Sequence, residues 1–370
     1  MSFVVIGYPG DRRVTLFADA CRAAGIAEPR VIAWTEVLRG AFALPAGVPV
    51  RIDSPGEDPE ADALLRGDVA PTRTGGGARW YAGFVAGLGR IADAARAANA
   101  PLLNDPDEIA VMFDKRLCHA RLSAAGVPVP PALTGIDGYA ALRARMTEAD
   151  ERRVFVKPAH GSSASGVIAL EVAPPARAGT AGTEGRIKAV TSAVRRADGF
   201  HNSLRVQTYR TEEEVAELVD ALAPDGLHVE RWMPKAALDG RVLDLRVVVV
   251  GGVPTHAVVR TSTVPMTNLH LGGRRGDLDA VRAALGEDGW REAMDVCARA
   301  AACFPRSLMV GVDLLVGLGW RRFAIGEVNA FGDLLPNLPG LPDGPAAGVD
   351  AYTAQVRAVM SALSGSPCAT

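Results

Sequence analysis

Apolar positions along this chain recur either at every second residue or at three-to-four spacing, which predicts alternating strands and helices. At the amino end, Phe3 to Gly7 reads as a buried strand, Asp11 to Ala24 as a helix ended by Gly25, and Arg30 to Trp34 as a second strand. That order predicts an open α/β unit over the first hundred residues. Its turn Gly7-Tyr8-Pro9-Gly10 lies at the carboxyl end of a strand, where open sheets bind ligands. The turn lacks a dinucleotide fingerprint and is read as a wall of a substrate site. Trp80 to Asn99 has helical periodicity, and Trp80, Tyr81, Phe84, Leu88 and Ile91 fall on a core stripe. The pattern then turns to strands. Val154 to Lys157 and Val167 to Leu170 flank a small-residue loop, and Leu243 to Arg260 reads as a long hairpin. Val310 to Val316 and Arg322 to Asn329 read as a second hairpin about Gly317-Leu318-Gly319.

The second hairpin carries chemistry. The midpoint between Asp313 and Glu327 falls on Trp320, so an antiparallel pairing sets the two acids opposite or nearly opposite each other. Asn329 shares their face, while Val312, Leu314, Val316 and Val328 turn to a core. Facing carboxylates repel, and a hard cation such as magnesium relieves the repulsion. A surface hairpin with two solvated acids is the plain alternative.

In the first hairpin a three-residue turn, Gly251 to Val253, makes Asp244 face Arg260 with Arg246 on the same face. A two-residue turn would divide them between faces. Two arginines beside an acid suit a transferring phosphoryl group, and a structural ion pair is the alternative. Upstream, Lys157-Pro158 leads into the loop Gly161-Ser162-Ser163-Ala164-Ser165-Gly166. Such a loop can close backbone N–H groups over phosphate, or be only a loop.

Taken in order, Lys157-Pro158, Glu230-Arg231-Trp232, Asp244-x-Arg246, Arg260, Asn268-Leu269-His270-x-Gly272-Gly273, Gly311-Val312-Asp313 and Glu327-Val328-Asn329 resemble the ATP-grasp superfamily. The Asn268 stretch and the Glu327-Val328-Asn329-Ala330 ending are most similar to RimK-like carboxylate-amine ligases. Asn104-Asp105-Pro106 agrees, beginning a helix that carries Asp114-Lys115 and ends near Gly126. The resemblance spans about residues 100 to 340. It implies an ATP-grasp fold of the α/β (α+β) class. An N-terminal open α/β domain (1–105) would precede a small central lid domain (106–230) and a C-terminal antiparallel-sheet domain with the metal site (231–370).

The resemblance also implies roles. Lys115 and Lys157 hold nucleotide phosphates, and Gly161, Ser162, Ser163 and Gly166 belong to the phosphate lid. Glu230, Arg231 and Trp232 form the hinge that reads adenine through backbone groups, and Asp244 and Asn268 touch the nucleotide. Asp313, Glu327 and Asn329 ligate Mg2+, with Mn2+ as a substitute, while Arg246 and Arg260 stabilise the transferring phosphoryl group. The implied reaction is two-step: a carboxylate of a small molecule or peptide attacks ATP to form an acyl phosphate, and an amine displaces phosphate. A small-molecule kinase and a nucleotide-binding regulatory module are the alternatives. A homo-oligomer is compatible with the resemblance.

Three segments depart from the pattern. Phe331-Gly332-Asp333 replaces a common Ser-Pro-Gly, Met233 to Gly240 lengthens the stretch before Asp244 and offers Asp239 as a ribose contact, and Ala173 to Thr183 reads as a linker-like, mobile insertion. The remaining properties exclude classes. A net charge of -2 and a pI near 6.3 give no basis for general nucleic-acid binding. No apolar run reaches membrane-spanning length. Cys21, Cys118, Cys297, Cys303 and Cys368 show no metal spacing and no even disulfide set, so reduced thiols and a cytoplasmic location are expected. His119 is expected in the core, and His160 and His270 in solvated or structural roles.

Overall fold

The computed structural model describes the chain except residues 57, 68, 162–163, 174–186, 332–334, 336 and 365–370. Three sheets organise it. Strands Arg30–Ala33, Val4–Gly7 and Val50–Ile52 form a parallel sheet in that order. Their helices cover it because Phe17, Trp34, Phe84, Leu88 and Ile91 are fully buried against its apolar strands. Asp11 caps the first helix, Arg12–Ala23, by accepting from the Arg13 backbone N–H.

The second sheet is antiparallel, ordered Ala132–Leu133, Leu227–Arg231, Arg153–Pro158, Ile168–Val172, Ile187–Arg196 and Gly199–Tyr209. Helices Tyr139–Glu148 and Glu212–Leu222 bury Leu142, Met146, Val215, Leu218 and Leu222 against one face of it. The third, also antiparallel, runs Arg274–Arg275, Val253–Ser262, Arg241–Val250, Met309–Val316 and Phe323–Asn329. The long helix Leu278–Ala302 covers its apolar face through Val281, Val296 and Cys297. No helix among the described residues is long and apolar enough to cross a membrane.

Two registers decide where the polar side chains point. Asp313 lies opposite Glu327, and the companion valines and leucines are buried. Asp244 lies opposite Arg260, but not through the expected turn. The connection is the two-residue turn Gly251-Gly252, closed by the pair Val250 and Val253, with φ of 58° and 81° at the glycines. That left-handed pair matches the twist of the hairpin strands and favours glycine at both positions. A bulge between Val248 and Val249 then leaves Thr255 unpaired and restores the odd residue. The Thr255 hydroxyl donates to the Val248 carbonyl at 3.2 Å, satisfying an oxygen within the bulge.

The helix expected from Asn104 to Gly126 is broken in two, Pro106–Phe113 and Lys115–Ala124. Asp114 sits at the junction with φ -96° and ψ 107°, and its carboxylate accepts from the N–H groups of Arg116 and Leu117. An N-cap in mid-run starts a new helix, and Lys115 becomes its first residue. Both helices pack on the third sheet through Ile109, Met112, Cys118 and Leu122.

Candidate functional site

The polar face of the third sheet, the Arg153–Pro158 strand of the second and the start of the Lys115 helix enclose a cleft of about 330 Å³. Its base is a ladder of charge. Arg246 lies between Val258 and Asp313 on neighbouring strands, and Asp313 in turn faces Glu327. The Arg246 guanidinium grips Asp313 with two N–H groups, Nε to Oδ1 and Nη2 to Oδ2, the latter at 3.3 Å. Arg260 reaches the same carboxylate at 3.2 Å and donates from Nε to Asp244 Oδ1 at 2.8 Å. Thus one acid joins the two arginines that the sequence places on this face.

The lysines come from the opposite wall. Lys115 Nζ lies 3.0 Å from Glu327 Oε1 and donates to the Gly161 carbonyl at 2.6 Å, linking the small-residue loop to the acid hairpin. Lys157 Nζ lies 2.5 Å from Glu230 Oε1, and His228 Nε2 lies 3.2 Å from Glu230 Oε2. Burial opposes charge at Glu327, Lys157 and Glu230, and their partners outweigh it. Burial pushes the Glu327 carboxyl up, yet Lys115 and Lys157 hold it below its ordinary value. Burial lowers Lys157, but Glu230 raises it above its ordinary value. Glu230 is pushed up by burial and pulled down further by Lys157, to about 2.

Those shifts make a prediction about acid stability. Against an ordinary value of 4.5, a folded carboxyl at about 2 adds stability above pH 4.5 that is lost as pH falls through the window toward 2. Replacing Glu230→Gln should flatten the decline of melting temperature in that window relative to the native chain. Parallel curves in a thermal-melt series would disprove the assignment.

Several residues fall elsewhere than the sequence suggests. Arg231 pairs with Glu151 and is half-exposed, and Trp232 packs on Phe155 with ring centroids 5.0 Å apart, so neither side chain lines the cleft. Their backbone N–H groups are also committed, to the carbonyls of Pro131 and Arg153. Met233 is the next residue to line the cleft. Asp244 borders the cleft but is 3 % exposed, and its carboxylate is taken by Arg260, Lys235 and Thr267. Its carboxyl sits far below its ordinary value because Arg260 and Lys235 outweigh burial. Asn268 lines the cleft and accepts from the His270 N–H. The loop then needs Gly273, since a Cβ there would meet the Thr267 carbonyl at 2.6 Å. Gly161, Ala164 and Ser165 border the cleft, while Gly166 turns at φ 68°, and its N–H donates to Ser192 Oγ at 3.2 Å. Ser162 and Ser163 lie outside the described residues, as do the 174–183 part of the insertion and Gly332-Asp333 of the substituted loop. Tyr81, expected in the core, donates to the Ala110 carbonyl and stacks on His160 at 4.1 Å. His160 also meets Asp114 at 3.0 Å, and His119 reaches the Pro130 carbonyl at 2.8 Å.

The sequence reading missed Lys235 and Thr267. Lys235 Nζ contacts Asp244 Oδ2 at 3.3 Å and Thr267 Oγ1 at 3.0 Å, deep beside Arg260. It sits in the segment read as an extra length with Asp239 as its candidate contact, and no periodic signal marks it. Arg13 and Ser54 of the N-terminal unit line the cleft, whereas the Gly7–Gly10 turn does not. The described lining holds six Lys or Arg and four Asp or Glu side chains, an excess of two positive charges. That excess suits a polyanion.

The donor set fits a hard divalent cation. Asp313 and Glu327 present carboxylates side by side, and Asn329 donates Nδ2 to the Gly311 carbonyl at 3.3 Å, leaving its Oδ1 without a partner among the described residues. Among those residues no group of three His, Cys, Asp or Glu gathers for a metal, so such an ion would rest on two acids, an amide and its own ligands.

No protein-family model and no curated protein matches the chain. Solved structures match over almost its whole length. D-cycloserine synthetase DcsG aligns with TM-score 0.57 at 18 % identity, covering 98 % of this chain and 100 % of its own. The ATP-grasp ligase PsnB, complexed with a minimal precursor, aligns with TM-score 0.54 at 18 % identity, covering 98 % and 99 %. The macrocyclase MdnC from Microcystis aeruginosa MRC, bound with precursor peptide MdnA, aligns with TM-score 0.52 at 12 % identity, covering 99 % and 100 %. The chain has the ATP-grasp fold.

Proposed function

We propose that this protein is an ATP- and magnesium-dependent ligase that joins a carboxylate to an amine through an acyl phosphate, releasing ADP and phosphate. One observation carries the reading. Arg246, Arg260, Asp313, Glu327 and Asn329 share one sheet face across a cleft from Lys115 and Lys157, as a phosphoryl-transfer site requires. The ATP-grasp ligases that share the fold support it.

The roles follow from charge and position. Lys115 and Lys157 hold the β- and γ-phosphates as point charges, and Gly161, Ala164 and Ser165 border them. Backbone groups about Glu230 to Met233 border the base, and Asn268 borders the nucleotide. Asp313, Glu327 and Asn329 would hold magnesium, which would neutralise phosphate charge. In the first step a carboxylate oxygen bonds to the γ-phosphorus as the bond to the β-bridging oxygen breaks and ADP leaves. Arg260 and Arg246 face the equatorial oxygens, where their fixed forks stabilise spread charge. In the second step the amine nitrogen attacks the acyl carbon, the carbon–oxygen bond to phosphate breaks, and the nitrogen loses a proton. Asp244, Lys235 and Thr267 hold Arg260 in place and take no part in bond changes. We take 1–105, 106–230 and 231–370 as the working domain division, with the helices over 106–124 serving the cleft from the third sheet.

The test is release of ADP and inorganic phosphate from ATP and magnesium across pooled carboxylates and amines. Phosphate that depends on both an acid and an amine is the expected result. ADP without free phosphate would replace the reading with a kinase, and nucleotide binding without turnover in any pool would favour a regulatory module.

A further inference from the structure

We propose that Arg13, with Ser54, anchors a carboxylate that the substrate keeps through the reaction, the free acid of an amino acid or of a peptide chain end. The proposal deepens the ligase reading and rests on it for the identity of the reaction.

Arg13 and Ser54 stand at the carboxyl edge of the parallel sheet, one on the first turn of its first helix and the other just beyond its third strand. This wall is separate from the two antiparallel sheets, the segment carrying Lys235 and the Lys115 helix that bring the other cationic side chains to the cleft. Each of those other cations meets a carboxylate within 3.3 Å: Lys115 at Glu327, Lys157 at Glu230, Lys235 and Arg260 at Asp244, and Arg246 at Asp313. Arg13 has no such partner among the described residues. Its nearest acid is Asp11, at 4.0 Å from Nη1, and that carboxylate already accepts from the Arg13 backbone N–H. The Arg13 Nε is buried and lacks a hydrogen-bond partner among the described residues. Arg13, its side chain 24 % exposed, thus keeps one buried donor without an acceptor, and a complementary anion in the cleft would satisfy it.

The neighbouring wall is fixed in advance. Asp53, 2 % exposed, receives Arg51 Nη2 at 3.0 Å and the Ser54 N–H at 2.9 Å, while the Trp34 indole donates to its carbonyl at 2.8 Å. Ser54 is therefore held by a buried network, and its Oγ accepts from the Gly56 N–H at 3.0 Å, leaving its hydroxyl proton to donate. Met112, Phe113 and Phe331 line the same cleft, with Phe113 and Phe331 at 5.5 Å. A guanidinium fork and a hydroxyl beside an apolar patch suit a planar carboxylate next to an aliphatic or aromatic side chain. The carboxylate that reacts must lie against the γ-phosphate and the arginines of the third sheet, so the one on Arg13 is a second, spectator acid.

Equilibrium dialysis of the full chain with saturating MgADP tests this. The probes are pooled free amino acids, pooled tripeptides and the α-carboxamide forms of both, each read by mass spectrometry. The native chain should retain a free-acid member, and its affinity should fall about 10- to 100-fold in Arg13→Gln, with partial recovery in Arg13→Lys. The matching carboxamide should bind the native chain as weakly as the acid binds Arg13→Gln, and ADP affinity should not change. The pool that supplies the retained acid separates an amino acid from a peptide end. Retention that ignores Arg13, equal binding of carboxamides, weaker ADP binding in Arg13→Gln, or no retention by the native chain would each overturn the assignment. Phosphate release with the retained probe separates the two readings. Retention on Arg13 without any turnover leaves the subsite standing and removes the ligase, whereas amine-dependent phosphate release untouched by Arg13→Gln does the reverse.

Discussion

Glu327→Gln is expected to lower ATP-dependent phosphate release by on the order of 10²- to 10³-fold while leaving the chain folded. The carboxylate faces Asp313 across the hairpin and lies 3.0 Å from Lys115 Nζ, with its carboxyl held below the ordinary value by Lys115 and Lys157 against burial. It therefore works in its charged form. The amide has the same shape and can still accept from Lys115, which also keeps its bond to the Gly161 carbonyl at 2.6 Å. What is removed is one of the two facing negative charges that would hold magnesium under the proposed function. Single-turnover phosphate release and a thermal melt measure the two effects separately. Turnover within about threefold of native, with an unchanged magnesium requirement, would remove Glu327 from the machinery. A collapse of the melting temperature would show that the residue serves folding first.

The acid hairpin was legible because its information is local. Two acids flanking a turn, with valines and leucines at the alternating positions, narrow the register, and the structure pairs Asp313 with Glu327 through a bulge that leaves Gly326 unpaired. Asp244 and Arg260 were also placed on one face, but for a reason the structure replaces. The turn is Gly251-Gly252 and the missing residue is absorbed by the bulge at Thr255. A bulge leaves almost no trace in periodicity, so turn length and bulge can compensate without changing the sequence pattern. The break at Asp114 was hidden for a related reason, since a helix restarting in mid-run keeps its apolar spacing on both sides. Lys235, Thr267, Arg13 and Ser54 were not legible at all. Each reaches the cleft through contacts between distant segments, Lys235 with Thr267 and Asp244, and Arg13 across from a sheet that begins more than a hundred residues later. No local pattern encodes such meetings.

Arg260 carries the other large effect, and here stability and catalysis should separate between two variants. Arg260 is 7 % exposed, and its guanidinium donates to Asp244 Oδ1 at 2.8 Å and lies 3.2 Å from Asp313 Oδ2. Burial disfavours its charge, but Asp244 and Asp313 raise it well above the ordinary arginine value. Arg260→Gln leaves Asp244 to Lys235 and Thr267 and Asp313 to Arg246, so each acid keeps one cation and loses another. The expected cost is about 1–3 kcal/mol of stability. Arg260→Lys keeps the charge, so most of that stability should return. Lysine is a point donor that cannot hold Asp244 and Asp313 while also presenting a planar fork to a phosphoryl group. Turnover in Arg260→Lys should therefore remain down by on the order of 10³-fold, with ADP affinity little changed. Denaturant unfolding and phosphate-release rates on the two variants decide the matter. A lysine variant that restores both stability and turnover would make Arg260 a structural ion pair, and one that restores only stability would place its fork on the transferring group.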